Sequence, residues 1–240
     1  MWTSNRRTSA THLSRVRQTS IALAVLVCVG ISACTAADPP SPASTAEAPT
    51  ATPLPESGEL DADTYLVSGF TVPFEITVPG GWESGGWFLH KDISDEMAVA
   101  VNFQVPGYVP MDACAWNGAI SAVDPSVEAF ATAMAAQLST ETSPPVSVMV
   151  GGFPGLEFAH SVAAGVTITD CDFGKICLHS DVKNDCTRWH SSVDERETYR
   201  VVDLNGERFV MAVLEIGSVD PALTEEARAV FDSIDFAPGT

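Results

Sequence analysis

The apolar positions of the chain change period along its length, and the changes mark its elements. Residues 69–78 alternate apolar and polar side chains, the pattern of a half-buried strand. Pro73 inside that run places it at a sheet edge or a bulge. Pro79-Gly80-Gly81 closes it. Residues 87–90 and 97–103 predict the next two strands. Residues 146–150 and 156–162 predict another pair, joined through Gly151-Gly152-Phe153-Pro154-Gly155. The runs 198–204 and 208–216 are separated by Asn205-Gly206. Asn-Gly between strand-like runs predicts a tight hairpin, because both turn positions need positive φ.

Two segments switch to the helical period. Asp124-Pro125 reads as an N-cap followed by proline at the first helical position. Val127, Phe130, Met134 and Leu138 then share one face, up to Ser143-Pro144-Pro145. Asp220-Pro221 repeats the cap pattern. Leu223, Ala227, Val230, Phe231 and Ile234 form the apolar face of that helix, with Glu225, Glu226 and Arg228 expected toward water. Strands joined by hairpins, with only two helices, predict an α+β domain with a mainly antiparallel sheet packed with two amphipathic helices. The single domain is expected over residues 63–240.

The residues ahead of it follow another pattern. Residues 1–20 are basic and polar, residues 21–30 are an apolar run, and Ile31-Ser32-Ala33-Cys34 follows. A basic start, a short apolar core and small residues before a cut predict a signal peptide over residues 1–33. The apolar run is too short to span a bilayer, which takes about 20 residues. Ile-Ser-Ala-Cys also resembles the bacterial lipobox, which implies lipidation at Cys34 and a stable hold on the membrane. Residues 34–62 are rich in Pro, Ala, Ser and Thr, the composition of a linker. The expected location is therefore the extracytoplasmic face of the cell membrane, held by a lipid anchor.

Charge narrows the partners. The 240 residues carry 31 acidic and 12 basic side chains, a formal net charge of −19. Four of the basic residues, Arg6, Arg7, Arg15 and Arg17, lie in the predicted signal, which leaves the remainder more acidic still. A nucleic-acid partner is excluded on this balance, because phosphate backbones need clustered Lys and Arg.

Few residue sets suggest chemistry. No Gly-x-Ser-x-Gly elbow, His-Glu-x-x-His or phosphate loop occurs, and no cofactor is implied. His160-Ser161 is a strand dipeptide whose side chains point to opposite faces, so it is no nucleophile–base pair. Residues 171–190 hold Cys171, Asp172, Cys177, His179, Cys186 and His190. A metal reading would take Cys177, His179, Cys186 and His190, but the usual Cys-x2-4-Cys spacing is missing and the expected compartment is oxidising. Disulfides among Cys114, Cys171, Cys177 and Cys186 are the expectation, and spacing alone leaves three pairings open. Trp82, Trp87, Trp116 and Trp189 are candidate groove residues. Trp82 and Trp87 stand out, because Gly80, Gly81, Gly85 and Gly86 read as a flexible loop carrying two large rings.

Several short motifs occur in a fixed order: Pro79-Gly80 with Trp82, Asp112 with Cys114, Gly152-Phe153-Pro154-Gly155, Cys171-Asp172-Phe173-Gly174, Asp203 to Gly206, and Asp232-Ser233-Ile234. Together they resemble a pattern shared by a group of actinobacterial lipoproteins of uncharacterised function. More distantly the layout is similar to the PsbP-like fold of LpqN-type mycobacterial lipoproteins, an antiparallel sheet between helices. The resemblance implies fold and location and carries over no catalytic residue. It also implies a Cys114–Cys171 bridge, both cysteines being part of the pattern. Cys177 and Cys186 depart from it, and an added pair most simply bonds to itself across the turn formers Lys183-Asn184-Asp185.

The expected function is thus a non-catalytic binding or interaction module of the cell envelope, with an unidentified envelope protein or small ligand as partner. Two alternatives stand beside it: an envelope hydrolase using unassigned carboxylates, and a metal-binding lipoprotein using residues 171–190.

Overall fold

The computed structural model describes residues 51–93 and 96–236. The predicted signal, Cys34 and most of the predicted linker lie outside the described residues. The first strands are β1 (Thr52–Pro53), β2 (Gly58–Leu60), β3 (Asp63–Val67), β4 (Phe74–Val78), β5 (Trp82–Ser84), β6 (Phe88–Ile93) and β7 (Glu96–Gln104). There follow β8 (Tyr108–Pro110), β9 (Ile120–Ala122), helix α1 (Val127–Ala136), β10 (Thr140–Thr142), β11 (Val146–Val150) and β12 (Phe153–Val162). The chain continues through β13 (Ile176–His179), β14 (Arg188–His190), β15 (Glu195–Leu204), β16 (Glu207–Ile216), helix α2 (Pro221–Asp232) and β17 (Asp235–Phe236). The class is α+β with mostly antiparallel sheet. None of the described helices is long and apolar enough to cross a membrane.

The main sheet has nine strands in the order β10-β12-β15-β16-β7-β6-β5-β2, with β11 also paired to β12. A second sheet, β1-β3-β4-β17, is antiparallel except for the β1–β3 pair. The β15–β16 hairpin turns at Asn205 and Gly206, whose φ values are 60° and 97°. Asp203 accepts the Gly206 N–H there. This is the turn the Asn-Gly pair predicts.

Strand alternation gives the main sheet two buried faces. Phe209, Met211 and Val213 of β16 point to one side, with Phe103, Val101 and Val202. The second sheet and α2 cover that side through Phe74, Ile76, Val230 and Phe231. Val210 and Ala212 point to the other, with Phe158, Tyr199 and Val201. Helix α1 covers it through Phe130 and Met134, with β8 and β13 beside it. The sheet therefore lies between the two helices.

Four local expectations are corrected. The first concerns the domain boundary. Thr52 pairs with Tyr65 and Gly58 with Ser84, so the folded body begins ahead of residue 63 and takes in part of the predicted linker. Pro53 has no N–H to give, and the donor beside it is Leu54 N, which bonds Leu66 O at 2.9 Å.

The second is the cap of α1. It is Ser126, whose hydroxyl accepts from Ala129 N, while the Asp124 carboxylate accepts from Ser126 N one turn earlier. The third is Leu138, which is 59% exposed, because α1 stops at Ala136 and the chain turns to pair with Met111 and Ala113. The fourth is the loop of glycines between Pro79 and Trp87. It is largely the strand β5, followed by a hydrogen-bonded turn in which Trp87 N donates to Gly85 O at 3.1 Å. Helix α2, in contrast, starts as its sequence predicts, with Asp220 accepting from Ala222 N at 2.8 Å.

Candidate functional site

The cysteines settle the first question of chemistry. Cys114 is bonded to Cys171 and Cys177 to Cys186. The second bridge ties Cys177 of β13 to Cys186 in the loop ahead of β14, next to the buried Trp116 and Ile120. Sulfurs bonded to each other are not thiolate ligands, so Cys177 and Cys186, joined as they are, offer no thiolate to a metal. Among the described residues, no group of three or more His, Cys, Asp or Glu is placed to hold a metal ion.

The two tryptophans singled out by sequence part company. Trp82 is 0% exposed and belongs to the core on the α2 side. Its indole N–H donates to Glu226 at 2.7 Å, and Lys91 Nζ donates to the same oxygen at 2.7 Å. Glu226, expected toward water, thus serves the core. Partial burial would push its carboxyl up, but the bonds from Lys91 and Trp82 outweigh that and hold it below the usual range. Trp82 therefore presents no surface to a ligand.

Trp87 is 47% exposed. It follows a tight turn in which a Cβ on Gly85 would collide with the Phe88 ring. Its carbonyl accepts from Phe103 N at 3.0 Å, so the backbone carrying the ring is fixed to β7. Opposite stands Trp189 of β14, 39% exposed, with Lys175 Nζ 3.9 Å from its ring centroid. The two indoles flank a cavity of about 360 Å³ that Asn102, Arg188, Glu195 and Leu214 also line. Sheet register brings together the part of the lining that belongs to the main sheet. Phe88 pairs with Asn102, Asn102 with Ala212, and Glu197 with Leu214, so residues far apart in sequence fall in neighbouring rows on one face.

Beneath the cavity lies a buried polar cluster. Arg188 donates to Glu197, and His190 Nε2 lies 3.7 Å from the same carboxylate oxygen. His160 faces this group from β12, directly paired with Glu197. His179 and His160 stand edge-on to the Tyr199 ring, with centroids 5.8 and 5.9 Å away. Burial depresses all three imidazoles. His160 is lowered to about 4, while His179 and His190 fall well below their ordinary value, with Arg188 adding to the effect. They are neutral at pH 7. Burial pushes the Tyr199 hydroxyl up, with Arg188 opposing it.

Several polar atoms here have no hydrogen-bond partner: Asn102 Nδ2, Arg188 Nε, both nitrogens of His160 and His190, and Glu197 Oε2. Native interiors leave few such groups, and each carries a cost of about 1–3 kcal/mol. Their concentration next to an open cavity marks this region off from the rest of the interior. Glu195 is different. Its Oε1 accepts from Ser191 N, Ser191 Oγ and Ser192 N at 2.7, 3.0 and 2.9 Å, which fixes the turn between β14 and β15.

Sequence reading considered Trp189 without preferring it, and passed over Asn102, Arg188 and the β15 carboxylates. Asn102 carried a signal, as the one amide inside the apolar run 97–103. No family model and no curated protein matches this chain.

Proposed function

We propose that this protein is a lipid-anchored lipoprotein of the extracytoplasmic membrane face, and that its domain is a non-catalytic binding module. Its ligand is a small molecule of the envelope, taken up between Trp87 and Trp189. The observation that carries this reading is the pairing of two half-exposed indoles with unpartnered buried donors, Asn102 Nδ2 and Arg188 Nε, at one cavity. Aromatic walls with a few convergent polar groups are the usual make-up of a ligand pocket. The sequence signals at residues 1–33 and Cys34 support the anchor. The sheet lying between α1 and α2, together with the ordered motifs, supports a PsbP-like sandwich within the actinobacterial lipoprotein group.

A hydrolase reading draws on one observation, the buried carboxylates of Glu195 and Glu197 on the same face of β15. Both are committed elsewhere, Glu195 to its serine turn and Glu197 to Arg188. A general acid or nucleophile needs a carboxyl free to meet substrate.

Retention of low-molecular-weight envelope components on the immobilised mature domain, read by mass spectrometry, tests the binding reading. Components held by the native domain and lost with Trp189→Ala are the expected result. No specific retention would overturn it. For the anchor, Cys34→Ala should move the protein out of the membrane fraction or leave it as precursor. A Cys34→Ala protein still processed and membrane-bound would refute the lipoprotein assignment.

A further inference from the structure

We propose that the ligand of the Trp87–Trp189 cavity is a neutral saccharide, bound through one terminal pyranose ring; this rests on the binding-module reading above. The argument is a matching of surfaces. An indole face is electron-rich. A pyranose presents a flat face of C–H groups, weakly positive, with hydroxyls around its edge. Two indoles held on fixed backbone suit that face, and Trp87 is further braced by Phe88, with ring centroids 4.7 Å apart.

The polar floor suits the edge. Asn102 Nδ2 and Arg188 Nε are donors without partners, and the Glu195 carboxylate, whose Oε1 is held by the serine turn, keeps Oε2 as an acceptor in the cavity wall. A hydroxyl both donates and accepts, so a ring of hydroxyls meets both kinds of group. Other ligand classes fit less well. An anion would face the Glu195 carboxylate, while Arg188 is already paired with Glu197. A wholly apolar molecule would leave Asn102 unpaired in a dry site, which costs free energy.

Two further facts bound the saccharide. At about 360 Å³ the cavity is near the lower end of ligand pockets, about 300–1,000 Å³, and so takes one ring rather than a long chain. The net charge of −19 repels polyanionic glycans and favours neutral ones.

The test is calorimetric titration of the full mature domain with neutral trisaccharides (maltotriose, cellotriose and chitotriose) and with trigalacturonate as the charged counterpart. Saturable binding of at least one neutral trisaccharide, and none of trigalacturonate, is expected. Trp87→Ala and Trp189→Ala should each weaken it at least about tenfold, the loss of one well-placed aromatic contact. Asn102→Ala should weaken it too. Phe173→Ala, which removes an exposed ring outside the cavity, should leave it unchanged. Thermal melts of each variant separate lost contacts from lost folding. Tighter binding of trigalacturonate would overturn the inference. So would failure of every neutral saccharide, including hexose and N-acetylhexosamine monomers. If envelope components are nevertheless retained through Trp189, the binding module stands and only the saccharide assignment falls. If nothing is retained, both fall.

Discussion

The two faces of the nine-stranded sheet are built from the same strands and hold different interiors. On the α2 side the contents are nearly all hydrocarbon. Phe70, Phe74, Phe103, Phe209 and Phe236 pack mostly edge-on or tilted, with centroids between 4.8 and 6.5 Å apart. On the α1 side the same sheet faces two disulfides and the cluster of His160, His179, His190, Arg188, Glu197 and Tyr199. The lesson is a division of labour within one fold. The dry face supplies stability through burial and packing. The other face keeps polar groups that cost stability, and it is braced by covalent links where packing is poorer in hydrocarbon. Strand alternation makes this possible, since neighbouring residues of β15 and β16 serve opposite faces.

The sharpest way to break this comparison is to remove a ring from the dry face. Phe74→Ala should cost about 3–5 kcal/mol in urea unfolding, because Phe74 is fully buried among four other rings. A loss under about 1 kcal/mol would show that the aromatic layer is not where the stability resides.

The next effect concerns the braces. Residues 114 and 171 are 57 apart, and residues 177 and 186 are 9 apart. The chain-entropy model gives about 4 kcal/mol for the first bridge and about 2.6 kcal/mol for the second. Paired Cys→Ala variants, compared by urea midpoint, should follow that order. The reverse order would mean that strain or residual unfolded-state structure dominates.

Acid should separate the faces by chemistry. The unfolded chain takes up protons on its histidines as pH falls through about 6.5, while the folded chain holds His160 neutral down to about 4. The unfolded state therefore binds more protons in that window, and stability present above 6.5 drains away as pH falls. Each such histidine costs about 1.4 kcal/mol per pH unit, or about 2 kcal/mol by pH 5. His160→Phe should flatten the fall of the urea midpoint between pH 7 and pH 5. An unchanged slope would count against a neutral, buried His160.

The smallest effect is the most informative about the cavity. Trp87→Ala should change stability by no more than about 0.5 kcal/mol, as for other partly exposed positions. Trp82→Ala should cost about 3–5 kcal/mol, as for other fully buried rings. Similar values for the two would erase the distinction between a core ring and a binding ring.

Local signals were the legible ones. The Asn205-Gly206 turn and the Asp220 cap each depend on a few neighbouring residues, and each forms as read. The disulfide pairing followed from the lipoprotein resemblance, where spacing alone was silent. What sequence could not show depends on register. Asn102, Leu214 and Glu195 come together through the rows of β7, β16 and β15, while Trp87 enters from the turn ahead of β6 and Trp189 from the separate β13–β14 hairpin. Glu226 turned from solvent to core for a similar reason. Its helical position looks polar in isolation, but Trp82 and Lys91 lie across from it. Leu138 failed as a face residue because α1 ends two positions earlier.

The placement of the cysteines has a practical corollary. Both bridges lie away from the aromatic layer. Protein made in a reducing host cytosol would keep the phenylalanines of that layer but lack both bridges, and with the shorter one the tie between β13 and the loop ahead of β14. Arg188 and Trp189 ride on the β13–β14 hairpin. A thiol titration before any binding assay is the control that separates a competent preparation from one that lacks its bridges.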